Sequence, residues 1–138
     1  MALRSKRRPR RRAAPPVLHE LESEVMEQLW STGEASVRSV MEALNTQTSR
    51  DRAYTTYMTV MVRLHEKGLL ARPRDGKTDY YHPAYEREEY MGLRAQAEVE
   101  GLVAQYGDIA LSHFAQQMAS LDPARRRALH GLARKLNS

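Results

Sequence analysis

The sequence predicts a mainly α-helical fold that contains one small β-hairpin. Two observations indicate this fold class. Apolar residues recur at helical spacing along most of the 138 residues. This period is interrupted near residues 69–82, where two strand-like runs flank Asp75-Gly76, a pair that is a hairpin turn signal. The length allows one domain, or one small domain with an appended oligomerisation segment.

Two amphipathic helices are predicted at the start of the folded part. The first carries apolar residues at helical spacing from Leu21 to Trp30, and Gly33 is a suitable stop. The second begins after Ser36, a residue type that favours the N-cap, and repeats apolar residues over 37–44. It ends in a polar stretch.

A third helix and a hairpin follow. The helix is predicted from Ala53 to Lys67, with Gly68 as its C-terminal stop. The hairpin strands are predicted at residues 69–74 and 77–82, and Pro83 closes the second strand. Three helices followed by a hairpin are the layout of a winged helix, in which a helix-turn-helix places its second helix in the major groove. The third helix is the candidate for that position.

The last third of the chain returns to the helical period. A helix is predicted from Tyr85 to Tyr106, Gly107-Asp108 interrupts it, and Asp122-Pro123 begins the last helix. These apolar stripes predict packing against each other and against a second copy of the chain, and the alternative is a six-helix monomer. The residues assigned to dimerisation are Val99, Leu102, Val103, Tyr106, Leu111, Phe114, Met118, Leu129, Leu132 and Leu136.

The positive charge is concentrated at the N-terminus. The net charge is +5, and the first twelve residues contain seven basic side chains and no acidic one, so the remainder is slightly acidic. Such an arm is expected to stay disordered in free solution because like charges repel. It is either a solubilising tail or an arm that contacts DNA phosphates. An arm of this kind can also enter a minor groove. Its bases are Arg4, Lys6, Arg7, Arg8, Arg10, Arg11 and Arg12. The predicted organisation is an arm at 1–17, a winged-helix domain at 18–83 and a dimerisation segment at 84–138.

Two groups of residues are candidates for contacting DNA. On the third helix, hydroxyls can reach phosphates or base edges, threonine methyls pack on thymine, and arginine forks onto guanine or phosphate. These helix residues are Tyr54, Thr55, Thr56, Met58, Thr59 and Arg63. Around the hairpin turn, Arg72, Arg74 and Lys77 would follow the sugar-phosphate backbone. The alternatives are a solvated helix face and charges that keep a hairpin edge soluble.

Three runs of the sequence resemble a known family. Residues 21–30, 36–44 and above all 53–70 are similar to the penicillinase-repressor family of bacterial transcription factors (BlaI/MecI/CopY type). In the third run, the paired threonines Thr55-Thr56 and the ending Lys67-Gly68-Leu69-Leu70 are the most specific features. The resemblance is close over the winged-helix part and extends only in pattern over the C-terminal third.

The resemblance implies a homodimeric winged-helix repressor that binds a TACA…TGTA-like dyad in double-stranded DNA and blocks transcription. In one branch of the family, a membrane receptor-protease signal leads to cleavage in the dimerisation segment, often at an Asn-Phe bond. The counterpart here is His113-Phe114. Another branch senses copper through C-terminal cysteines, and this chain has no cysteine. The family name suggests a link with antibiotic resistance.

The composition argues against an enzyme, and no metal or cofactor is predicted. The absence of cysteine excludes disulfides, zinc fingers, thiolate metal sensors and a cysteine nucleophile. The five histidines lack the i, i+4 spacing of a zincin helix, and no glycine-rich phosphate loop is present. No apolar run is long enough to span a bilayer, so a cytoplasmic, nucleoid-associated protein is expected.

Two other functions fit a winged helix. One is a protein-interaction module, since fold alone does not determine function. The other is a repressor that senses a small molecule in an aromatic pocket, although aromatic side chains at such positions more often belong to the core. The aromatic residues available for a pocket are Trp30, Tyr57, Tyr81, Tyr85, Tyr90 and Tyr106.

Overall fold

The computed structural model describes residues 14–73 and 79–136. These residues form six helices and three short strands, which confirms the predicted fold class. The helices are α1 (Glu20–Thr32), α2 (Val37–Thr48), α3 (Tyr54–Glu66), α4 (Arg87–Tyr106), α5 (Asp108–Ala119) and α6 (Pro123–Leu136). The strands are β1 (Ala35–Ser36), β2 (Leu70–Ala71) and β3 (Tyr80–Pro83). The seven bases of the N-terminal arm and the tip of the hairpin, with Arg74 and Lys77, lie outside the described residues.

The ends of the first three helices lie where local signals predict them. The amide of Gly33 donates to the carbonyl of Leu29 at 2.7 Å, and its positive φ of 91° explains the choice of glycine after α1. Ser36 caps α2, because its hydroxyl oxygen accepts from the amide of Ser39 at 3.1 Å. Just beyond α3, Gly68 has a φ of 82°, a backbone conformation that glycine adopts more easily than other residues.

The sheet differs from the predicted hairpin in two respects. It has three strands in the order β1-β3-β2, and the additional strand β1 pairs antiparallel with β3, with Ala35 opposite Tyr81. A strand of two residues has no detectable period, so the sequence pattern does not show it. Among the described residues, the pairing of β2 with β3 is also shorter than predicted, since it joins Leu70 to Pro83 and Ala71 to His82.

A single cluster of buried side chains joins the first three helices to the sheet and to α4. The apolar periodicity of each helix supplies this cluster, since residues three and four apart share one face. Its members are Val25, Met26, Leu29, Val37, Val40, Leu44, Tyr57, Met61, Leu64, Leu69, Leu70, Tyr81 and Tyr90. Because α3 contributes three of these side chains, its opposite face is left for solvent or a partner.

The beginning of α4 is fixed to α1 and to the segment that precedes α1. The indole of Trp30 donates to the carbonyl of Tyr85 at 2.9 Å, and its ring centroid lies 5.6 Å from that of Tyr90. The hydroxyl of Tyr90 donates to the carbonyl of Pro16 at 2.8 Å, and burial raises the pKa of this phenol. Arg94 donates to the carbonyl of Pro15 at 3.1 Å. These contacts all lie within the first of two compact units, which ends at Ala95.

The second compact unit, from Gln96 onward, contains the end of α4 and the helices α5 and α6. Gly107, with a φ of 62°, separates α4 from α5 as predicted. The carboxylate of Asp122 accepts from the amide of Arg125 at 2.9 Å, so Asp122-Pro123 begins α6 as the sequence indicates. The side chain of Arg126 donates to the carbonyl of Ala119, the last residue of α5, and to the carbonyl of Leu121 in the connection to α6.

Candidate nucleic-acid interface

Helix α3 has one buried face and one polar, exposed face. Tyr57, Met61 and Leu64 are fully buried and attach the helix to the core. Of the six α3 residues that are predicted to contact DNA, five are exposed and the sixth, Tyr54, is half-buried. The exposed ones are Thr55, Thr56, Met58, Thr59 and Arg63. The structure thus brings the helix candidates together on a face that presents hydroxyl groups, a thioether and one guanidinium.

A side chain of α2 fixes the beginning of α3. The side-chain oxygen of Asn45 accepts from the hydroxyl of Tyr57 at 2.7 Å and from the amide of Arg52 at 3.2 Å. Its amide nitrogen donates to the carbonyl of Arg52 at 3.0 Å. Arg52 also pairs with Glu24 at 3.1 Å, and hydrogen bonding with Tyr57 and Glu24 raises the pKa of its guanidinium. We call these contacts of Asn45 the Asn45 clip.

An ion pair fixes the other end of α3. The ammonium of Lys67 lies 2.7 Å from a carboxylate oxygen of Glu22, a side chain that is only 10% exposed. The other carboxylate oxygen accepts from the amide of His19 at 3.0 Å. Burial alone would raise the pKa of Glu22, but the hydrogen bond from His19 and the contacts with Lys67 outweigh burial and lower it.

The described part of the predicted wing contains one of its three basic candidates. The guanidinium of Arg72 lies 5.0 Å from the ring centroid of Tyr81 and donates to its hydroxyl at 2.9 Å. The ring of His65, on α3, meets the same tyrosine edge-on with the centroids 6.0 Å apart. Tyr81 therefore connects the hairpin to α3.

A basic residue that the sequence interpretation did not select also lies beside α3. The guanidinium carbon of Arg38, in the first turn of α2, lies 5.2 Å from the ring centroid of Tyr54. Arg38 is exposed and Tyr54 is half-buried. The two residues are sixteen positions apart on different helices, and no local periodicity relates such positions.

The residues predicted for dimerisation all belong to the second unit. None of the ten is buried in the single chain. Ile109, which the sequence interpretation did not select, is the most exposed large apolar residue of α5, at 67%. It lines a cavity of about 340 Å³ together with Leu102, Tyr106, Ala110, His113 and Phe114. The predicted cleavage position, His113-Phe114, therefore lies inside α5 beside this apolar surface.

The aromatic residues considered for a ligand pocket mostly belong to the core. Tyr57, Tyr81 and Tyr90 are buried, and Trp30 and Tyr85 pack against them. Within residues 14–73 and 79–136, no group of three or more histidine or acidic side chains is placed to hold a metal ion. No helix of this described part combines the length and the apolar character needed to cross a membrane.

The three helices, the small sheet and the exposed face of α3 define a winged helix of the kind found in transcriptional regulators. The profile of a family described as penicillinase repressor matches residues 18–135. The transcriptional regulator BlaI from two Mycobacterium tuberculosis strains, CDC 1551 / Oshkosh and H37Rv, is 40% identical over 115 residues, which cover 81% of this chain and 82% of the relative.

The chain therefore belongs to the penicillinase repressor family, which confirms the resemblance seen in its sequence. It is a transcriptional repressor, and its family and relatives are regulators rather than enzymes.

Proposed function

We propose that this repressor binds double-stranded DNA as a homodimer and reads a palindromic, TACA…TGTA-like operator through α3, within the predicted span 53–67. One observation carries the proposal. The core holds α3 by Tyr57, Met61 and Leu64, and the opposite face exposes threonines and an arginine and no acidic side chain before Glu66. A helix that is anchored in this way can enter a major groove without changing its own packing.

The side chains of this face match the chemistry of the expected operator. Threonine hydroxyls donate and accept hydrogen bonds at base edges, and their methyl groups pack on thymine methyls. Arg63 lies one to two turns beyond Thr56 and Thr59, and its guanidinium can fork onto guanine or a phosphate. The TACA half-site offers thymine and adenine to the threonines, and its complement offers guanine.

Basic residues outside α3 would add affinity without reading sequence. Arg72 lies on the hairpin next to Tyr81, and Arg74 and Lys77 follow it in the chain. The seven bases of residues 1–12 can each neutralise a phosphate and release condensed counterions. We assign to the hairpin and the arm this sequence-independent part of binding.

The proposed dimerisation segment is 84–138, and the residues assigned to dimerisation lie in its part that belongs to the second unit. Leu111, Leu132 and Leu136 are 48%, 53% and 82% exposed in the single chain, and exposed large apolar side chains favour self-association where they adjoin one another. A twofold dimer presents two copies of α3 to the two halves of a palindrome. Joining the two contacts raises affinity through effective concentration, with no further base contact.

Release of the operator by an upstream signal completes the proposal, with a membrane receptor-protease system as the candidate partner. Cleavage between His113 and Phe114 would remove the second half of α5 and all of α6, and with them much of the apolar surface. Proteases cleave chain segments that have opened, so cutting inside α5 requires that helix to unfold locally.

Fluorescence anisotropy across a salt series tests whether the protein recognises the operator sequence. We expect the full-length protein to prefer a dyad duplex over a scrambled one by a hundredfold or more, which is about 2.7 kcal/mol. Thr59→Leu should lower the preference because a bulky side chain prevents close approach of α3. Thr46→Leu, on the exposed side of α2, is the matched control and should bind as the wild type does.

Two results would overturn the proposal. Equal affinity of the wild type for both duplexes would mean that it does not read this dyad. An unchanged preference in a folded Thr59→Leu variant would mean that α3 is not the reading helix.

A further inference from the structure

Arg38 and Tyr54 form a contact between α2 and the first residue of α3. At 5.2 Å from the ring centroid, the guanidinium lies within the distance of an effective cation–π interaction. Tyr54 packs against the core with part of its ring, so its position is fixed by the fold. Tyr54 and Met58 are four residues apart and are neighbours on the surface of α3. The Arg38 head group therefore lies at the edge of the face that we propose reads DNA.

Arg38 differs from nearby arginines in what its head group contacts. Arg52 pairs with Glu24, and Arg87 pairs with Glu27 through two nitrogens. For Arg38, the cation–π contact with Tyr54 is the contact that the structure gives, and the described residues provide it with no carboxylate within ion-pair distance. A cation–π contact depends on the charge of the guanidinium and need not use its N–H donors. Those donors can bind an anion in a bidentate manner.

We infer that Arg38 binds a backbone phosphate of the operator and that Tyr54 positions it. The inference rests on the proposed function, since it takes α3 as the helix that enters the groove. Arg38 is on α2, the first helix of the helix-turn-helix pair, and that helix crosses the DNA backbone when the second lies in the groove. The expected ligand of Arg38 is therefore a phosphate rather than a base edge.

The cation–π contact explains why an aromatic residue is useful at the first position of α3. A free arginine side chain loses conformational freedom when it binds, and an arginine already ordered on a ring loses less. The ring itself needs no contact with DNA. Tyr54 is in this view a positioning residue, and its hydroxyl is dispensable.

Four variants test the assignment: Arg38→Ala, Tyr54→Phe, Tyr54→Leu and the double variant Arg38→Ala/Tyr54→Leu. We expect Arg38→Ala to weaken binding to the dyad and to the scrambled duplex by the same factor, about tenfold at low salt. The slope of log affinity against log salt should fall by about 0.9 for each half-site. Arg87→Ala removes the same charge outside the proposed interface and controls for net charge.

The tyrosine variants separate positioning from direct contact. Tyr54→Phe keeps the ring and should retain more of the affinity than Tyr54→Leu, which removes the ring. In the Arg38→Ala background, Tyr54→Leu should have no further effect, because the residue that it positions is gone. A further loss in that background would mean that Tyr54 contacts DNA itself. Urea unfolding of each variant confirms that the fold is retained.

The failure of this inference can be told apart from the failure of the proposed function. If Arg38→Ala binds both duplexes as the wild type does, while Thr59→Leu loses the dyad preference, then α3 reads DNA and Arg38 does not take part. If Arg38→Ala weakens binding to the dyad alone, Arg38 reads a base and the phosphate assignment is wrong. If the wild type binds neither duplex, the proposed function itself is wrong.

Discussion

The Asn45 clip allows a quantitative prediction for Asn45→Ala. The substitution removes three hydrogen bonds, two to the backbone of Arg52 and one from the hydroxyl of Tyr57. Each is worth about 1 kcal/mol net, so the loss is about 3 kcal/mol. Alanine is the better helix former at this position by about 0.6 kcal/mol, which offsets part of it. We therefore expect a decrease of about 2 to 2.5 kcal/mol in the free energy of unfolding of the first unit.

Urea unfolding with matched variants measures this effect. Thr46→Ala changes the next residue of α2, which is exposed, and should leave stability unchanged or slightly raised. Tyr57→Phe removes only one bond of the clip and should cost about 1 kcal/mol. In the Asn45→Ala background, the same tyrosine substitution should cost less than in the wild type, since Asn45, one of the two residues that the Tyr57 hydroxyl contacts, is already truncated. If Asn45→Ala is as stable as Thr46→Ala, the clip does not hold α3.

Two further predictions concern the other end of α3 and the second unit. The pKa of Glu22 is lower in the folded protein than its ordinary value of 4.5, so its pairing with Lys67 stabilises the fold fully above pH 4.5. This contribution is lost as the pH falls through the pKa that Glu22 has in the folded protein. Glu22→Gln should therefore destabilise the protein at neutral pH, and its difference in free energy of unfolding from the wild type should narrow below pH 4.5. The control is Glu27→Gln at an exposed ion pair, which should change the free energy of unfolding by less than about 0.5 kcal/mol in urea titrations at both pH values. Leu132→Glu should shift the proposed dimer toward monomer in sedimentation because it places a charge on an exposed apolar position. Gln117→Glu, with the same charge change on α5, should not have this effect. A Leu132→Glu variant that remains fully dimeric would contradict the assignment of that surface.

The ends of the helices could be predicted because the signals that set them are local. Gly33 and Gly68 take positive φ values that suit glycine, and Ser36 accepts the hydrogen bond expected of an N-cap. Asp122-Pro123 begins α6 for a similar reason. In each case, the residue type and its immediate neighbours contain the information.

The contacts that orient α3 could not be predicted in the same way. Asn45 appears in the sequence as one member of a polar stretch, and only the fold brings it to the hydroxyl of Tyr57. Arg38 and Tyr54 meet across two helices, and the sequence interpretation assigned only the tyrosine to DNA. Strand β1 is too short to have a period. These features depend on the packing of distant segments, which periodicity does not encode.

If α3 reads DNA, its short side chains require the helix to be held in a fixed orientation. Threonine is short, so Thr55 and Thr59 can reach base edges only if the helix axis lies deep in the groove and at a fixed angle. A small displacement breaks such contacts, whereas the longer Arg63 can adjust. The clip at the beginning of α3, the ion pair at its end and the buried side chains between them together fix that axis. If α3 reads DNA, loosening either end should therefore reduce the preference for the operator more than the affinity for DNA in general, because phosphate contacts made by flexible basic side chains tolerate a displacement that the threonines do not.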